Sequence, residues 1–82
     1  MTIKKPLAIK QPEVGRIIHD LRLLAGLTQE QFAPTLGVTY TTINRWENGR
    51  STPSPLAMEK IEGMLKKMGG EGQDLLAKYL RN

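Results

Sequence analysis

Cysteine is absent from this chain of 82 residues. That excludes a disulfide framework and a thiolate metal site, and makes an intracellular setting the simple reading. The one histidine, His19, has no second ligand at metal-binding spacing and reads as a surface or locally satisfied side chain. No apolar run approaches the length of a membrane span or of a signal-peptide core, so no membrane association is expected. There is no internal repeat and no low-complexity segment. No nucleophile–base set, metal cluster or phosphate loop appears either, so an enzyme is not expected, and no cofactor. Acidic residues are outnumbered only mildly, 8 against 12 basic ones. The excess sits mostly before residue 51, where Lys4, Lys5, Lys10, Arg16, Arg22, Arg45 and Arg50 face Glu13, Asp20, Glu30 and Glu47. A positive half is compatible with phosphate binding, but many solvated small domains are this basic.

What is present is helical patterning. Residues 1 to 12 lack periodicity and carry Pro6 and Pro12, so they read as a flexible basic arm. Its lysines either follow a nucleic-acid duplex or merely solubilise the chain. Val14, Ile17, Ile18, Leu21, Leu24 and Ala25 share one helical face, which predicts a first helix over about 13 to 25, stopped by Gly26. Thr28 is placed to cap a second helix, with Gln31 bonding back. Phe32, Ala33 and Leu36 form the apolar face of that helix, and Gly37 supplies the positive φ that ends it. Pro34 removes a helix N–H and predicts a short or kinked element. Thr39 caps a third helix whose inward face is Ile43 and Trp46, so Trp46 reads as core rather than as a stacking platform. Ser54, with Pro55 at the first helical position, opens a fourth helix with a stripe of Leu56, Ile61, Leu65 and Met68. Gly69, Gly70 and Gly72 are expected to break the chain. Leu75, Leu76, Tyr79 and Leu80 then line a short last helix over 71 to 82. The sum is an all-α bundle of about five short helices, with its main domain over 13 to 68.

Helix, glycine turn and helix over 28 to 48 are the plan of a unit whose second helix enters the major groove of double-stranded DNA. On that plan the outward residues Tyr40, Thr41, Asn44 and Arg45 are candidate base readers. Arg45 is the strongest of them, because its planar fork can bond O6 and N7 of guanine together. Thr41 could touch a thymine methyl or bond a base edge, and Asn44 could face a base or solvent.

Arg22, the run Ala25-Gly26-Leu27-Thr28-Gln29-Glu30, Phe32-Ala33, the turn Leu36-Gly37-Val38-Thr39, Ile43, Trp46-Glu47-Asn48-Gly49 and Pro53 occur here in one ordered set. The set resembles the Cro and lambda-repressor type of helix-turn-helix, the Xre family of bacterial and phage regulators, over about residues 13 to 66. The resemblance implies that Gln29 clamps a backbone phosphate at the N-terminus of its helix, where the helix dipole favours an anion. It implies that Asn48 and Arg50 hold the next phosphates, with Thr39 serving as cap and as a further phosphate ligand. It also implies that Arg22 and Glu47 form a structural ion pair. Tyr40 departs from the pattern, since relatives often carry glutamine there, so base preference cannot be copied from a relative.

The resemblance implies a transcriptional regulator, a repressor, that binds a short operator as a homodimer in a bacterial or phage cytoplasm, on the nucleoid. Eighty-two residues leave no room for a ligand-sensing domain, so control is expected from concentration, a partner or proteolysis. The alternative is an antitoxin that binds its own promoter and a toxin partner; the last helix would pack on a symmetry mate, on that toxin, or back onto its own domain. A protein-interaction adaptor without DNA is disfavoured by Gln29, Arg45, Asn48 and Arg50 together.

Overall fold

A computed structural model describes residues 9 to 80. They form five helices: α1 (Glu13–Leu24), α2 (Gln29–Leu36), α3 (Tyr40–Glu47), α4 (Pro55–Lys67) and α5 (Gly70–Leu80). No strand occurs among the described residues, and the all-α fold is the one predicted. The helix starts are set chemically. Thr28 and Gln31 make the reciprocal capping box of α2, and the Thr39 and Ser54 hydroxyls accept the Thr42 and Ala57 N–H groups. α1, α2 and α3 end alike. Leu27 N–H reaches back to Arg22 O, Val38 N–H to Ala33 O, and Arg50 N–H to Arg45 O, each across a glycine. Gly37, at φ 70°, occupies the left-handed conformation that this closure requires. α2 holds Pro34 and is eight residues long, short as the proline predicts.

α1 is the hub, packing on α3 along one side and α5 along the other, while α2 packs on α3 and α4. Val14, Ile17, Ile18 and Leu21 of α1 meet Phe32 and Leu36 of α2, Ile43 and Trp46 of α3, and Ile61 and Leu65 of α4 in one core. Burying each such side chain is worth about 1.5–3 kcal/mol.

Four expectations need correction. The arm read over 1 to 12 is docked in its described part, because Ile9 is buried in the core and Gln11 bonds the domain; Lys10 is exposed, and Lys4 and Lys5 lie outside the described residues. Leu56 is not part of the α4 stripe. It is 63% exposed, and the buried face runs instead through Ala57, Met58, Ile61 and Leu65. Leu24, assigned to the inward face of α1, is also exposed. Finally, only Gly69 of the three clustered glycines turns the chain. Gly70 and Gly72 lie inside α5, and Gly72 is where α5 touches the backbone of Leu65 in α4.

α5 is fastened to α1 at Asp20. The Tyr79 hydroxyl donates to Asp20 Oδ2 at 2.8 Å, His19 Nδ1 lies 3.3 Å from Oδ1, and Lys78 Nζ is 3.7 Å from Oδ2. Burial pushes the Asp20 carboxyl up, but the bonds from Tyr79 and His19 and the charge of Lys78 outweigh it, leaving it below its ordinary 3.8. The folded state therefore binds fewer protons in acid than the unfolded chain. The stabilisation is complete above about pH 5 and is lost as pH falls through the lowered folded value. Asp20→Asn is expected to be less stable than the parent near neutrality, with the gap narrowing as pH falls through the lowered folded value. Urea unfolding followed across this range checks it, and a pH-independent gap would remove the charge from the account.

Candidate nucleic-acid interface

α3 is held from behind and open in front. Ile43 and Trp46 are buried against α1, so the residues out of phase with them must face away. Tyr40 and Thr41 stand exposed on the first turn, and Arg45 is exposed one turn after Thr41. Among the described residues no side chain pairs with that of Arg45 or of Arg50, and both are exposed. Thr39 is exposed as well, its hydroxyl accepting from Thr42 N–H and lying 3.0 Å from Thr42 Oγ1.

Behind this face lies a polar seam joining α1, α2 and α3. Arg22 Nε donates to Glu47 Oε2 at 2.7 Å and Nη2 to Oε1 at 3.1 Å, while Nη1 bonds the Leu27 carbonyl at 3.0 Å. The two side chains are 13% and 6% exposed, so this is a largely covered, bidentate pair at the edge of the core. The hydrogen bond to Glu47 outweighs burial and raises the Arg22 guanidinium above its ordinary value. Gln29 is half-buried and already engaged: its Nε2 donates to Glu47 Oε1 at 3.0 Å, and its Oε1 accepts from Asn44 Nδ2 at 3.3 Å. Asn44 Oδ1 in turn accepts from Asn48 Nδ2 at 3.1 Å. The structure thus separates Asn44 from the other candidate base readers. Tyr40, Thr41 and Arg45 are free, whereas Asn44 is tied at both ends of its amide to Gln29 and Asn48.

Gln11 was missed by sequence reasoning, which left it in the arm. Its Nε2 donates to Trp46 O at 3.0 Å and to Ser51 O at 2.7 Å, while its Oε1 accepts from Gly15 N–H at 3.0 Å. One amide therefore serves the free N–H of the first turn of α1, the end of α3 and the loop after it. Only the bond to Gly15 is local; the two carbonyls that tie Gln11 to α3 and its loop lie 35 and 40 residues away, beyond any local pattern. Gly15 is the second omission. A Cβ there would overlap the Trp46 carbonyl oxygen, so the missing side chain is what lets α1 close on the end of α3.

The arrangement is a short helix presenting hydroxyl and guanidinium groups, with amides along one edge and arginine beside its C-terminus. Among the described residues, no three His, Cys, Asp or Glu side chains come together in a way that could hold a metal ion. A comparison with protein families matches residues 18–67, more than half the chain, to the helix-turn-helix model. Among curated proteins, an uncharacterised HTH-type transcriptional regulator of Bacillus subtilis (strain 168), RghRB, is 38% identical over 53 residues, which is 63% of this chain and 38% of that protein. The chain thus spans well under half the length of that relative. No solved structure matches. The matched segment contains α2, its glycine turn and α3 whole, and the chain belongs to the helix-turn-helix family of the Cro and lambda-repressor type.

Proposed function

We propose that this chain is a sequence-specific, double-stranded-DNA-binding transcriptional regulator, a repressor, that reads the major groove with α3. The observation that carries the reading is the division of α3. Ile43 and Trp46 are fixed in the core, while Tyr40, Thr41 and Arg45 stand free on the opposite side. Arg45 reads guanine through its fork, Thr41 meets a thymine methyl or a base edge, and Tyr40 supplies apolar contact or a phosphate bond. Gln29, Thr39, Asn48 and Arg50 set the register on phosphates. The similarity to an HTH-type transcriptional regulator of Bacillus subtilis supports this assignment.

The same geometry argues for two copies. An eight-residue helix is about 12 Å long and passes only about 3–4 base pairs at 3.4 Å each. That is too short a word to single out one operator, so a homodimer reading two half-sites about 34–36 Å apart is the acting form. Leu23 and Leu24, exposed beside α5, provide apolar surface for that association.

Selection from a random duplex library tests the reading. A two-fold-symmetric winner bound at least about 10³-fold better than scrambled DNA is expected. Arg45→Ala should then lose about 10- to 100-fold on the winner and much less on scrambled DNA. Equal losses on both would remove Arg45 from base reading. Salt-sensitive binding with no preferred sequence would favour the antitoxin reading, in which specificity waits on a partner protein.

A further inference from the structure

Asn44 and Asn48 are neutral amides, and each offers a donor at one end and an acceptor at the other. Which end faces which neighbour is usually a matter of small local preferences. Here it is dictated from the core. Glu47, ionised beside Arg22, is acceptor-only. Gln29 must therefore turn its NH₂ toward Glu47 Oε1, which places its carbonyl on Asn44. Asn44 must answer with its own NH₂, which places Oδ1 on Asn48, and Asn48 answers with Nδ2. Reversing any one amide would set two acceptors or two donors face to face. With the Glu47 side chain only 6% exposed, water is a poor substitute partner at that end.

We propose that Glu47 is a positioning residue for the reading face. Through Gln29 it fixes the donor and acceptor ends of Asn44 and Asn48, and so couples the contacts of Gln29 and Asn48 with DNA although no bond joins those two side chains. This rests on the DNA-binding reading above. Its consequence for specificity is that Asn44 presents a fixed pattern, with its NH₂ on the Gln29 side and its carbonyl on the Asn48 side. It cannot swap them to accommodate a different base edge, and the spare N–H on each of the three amides is held in place before any phosphate arrives.

The experiment is a double-mutant cycle run in two backgrounds, on folded proteins whose unfolding midpoints are recorded. Gln29→Ala, Asn48→Ala and their combination are titrated with the selected duplex, with Asn44 present and again in Asn44→Ala. With Asn44 present, the combined loss should fall short of the product of the single losses by at least about threefold. In Asn44→Ala the product rule should hold within about twofold. Glu47→Ala is avoided here because its loss of stability would be confounded with loss of binding. A measurement without DNA accompanies the cycle: the side-chain NH₂ resonances of Asn48 should move on Gln29→Ala, and should stay in place when the same change is made in Asn44→Ala. Independent losses with Asn44 present, or Asn48 resonances indifferent to Gln29, would overturn the proposal. A protein that bound no duplex at all would defeat the DNA-binding reading, while the resonances still decided the amide chain.

Discussion

Glu47→Ala is expected to destabilise the domain by about 3 kcal/mol, the low end for breaking a buried pair because this one is partly buried, and still a large share of what holds a chain of this size together. The reason is the partner left behind. Arg22 is only 13% exposed, and its Nε and Nη2 both end on the Glu47 carboxylate. With that carboxylate gone, a partly buried guanidinium stays charged without its partner, since arginine does not deprotonate to escape. Gln29 loses the acceptor for its Nε2 in the same stroke. Binding to any duplex should fall with the folded fraction, so a DNA titration alone would mislabel Glu47 as a DNA contact. Urea unfolding followed by circular dichroism separates the two effects. The double variant Arg22→Met with Glu47→Leu is expected to recover most of the loss, because no charge is left unpaired. A double variant as unstable as Glu47→Ala would mean that packing, not the stranded charge, was responsible.

The sequence shows this seam only in part, and the boundary between what it shows and what it hides is physical. Caps are local chemistry. A threonine hydroxyl at 28 or 39 and a glycine at 26, 37 or 49 act within four or five residues, so the helix ends can be read directly from the chain. The outward face of α3 was legible for a similar reason, because fixing Ile43 and Trp46 inward fixes Tyr40, Thr41 and Arg45 outward by helical period alone. The error at Leu56 is one of period: at about 100° per residue it lies about 140° around the helix from Ile61, whereas Ala57 and Met58 lie within about 60° of it. Asn44 shows the deeper limit. Its position on α3 gave base edge or solvent as choices, but its partner Gln29 belongs to another helix and is aimed by Glu47. Gln11 and Gly72 are invisible for the same reason. A glutamine between an arm and a helix looks like filler, and a glycine in a glycine-rich stretch looks like a breaker, until the carbonyls of Trp46 or Leu65 arrive beside them.

That distinction leads to the second large effect, in which one chemical change has opposite signs at two helical glycines. Gly63 lies in α4, and a Cβ built on it meets nothing within 4 Å. Gly63→Ala should stabilise by about 0.4–1 kcal/mol, because alanine loses less backbone freedom on folding and prefers the helix. Gly15 lies in α1 and would gain the same propensity, but a Cβ there overlaps the Trp46 carbonyl oxygen and comes within 2.9 Å of Gln11 Oε1 and 3.3 Å of the Glu47 carbonyl oxygen. Two of those neighbours are backbone. They cannot swing aside as a side chain would; α1 has to back away from the end of α3, which loosens Ile17 and Ile18 against Ile43 and strains the Gln11 clamp. Overpacking costs about 1–3 kcal/mol where neighbours can adjust, so about 3 kcal/mol net is expected where they cannot. In a domain of this size that lowers the melting temperature by roughly 12–24 °C. Thermal unfolding of both variants checks the pair. A fall of less than about 4 °C for Gly15→Ala would mean that α1 and α3 tolerate separation, and the approach of these two helices would no longer explain why residue 15 has no side chain.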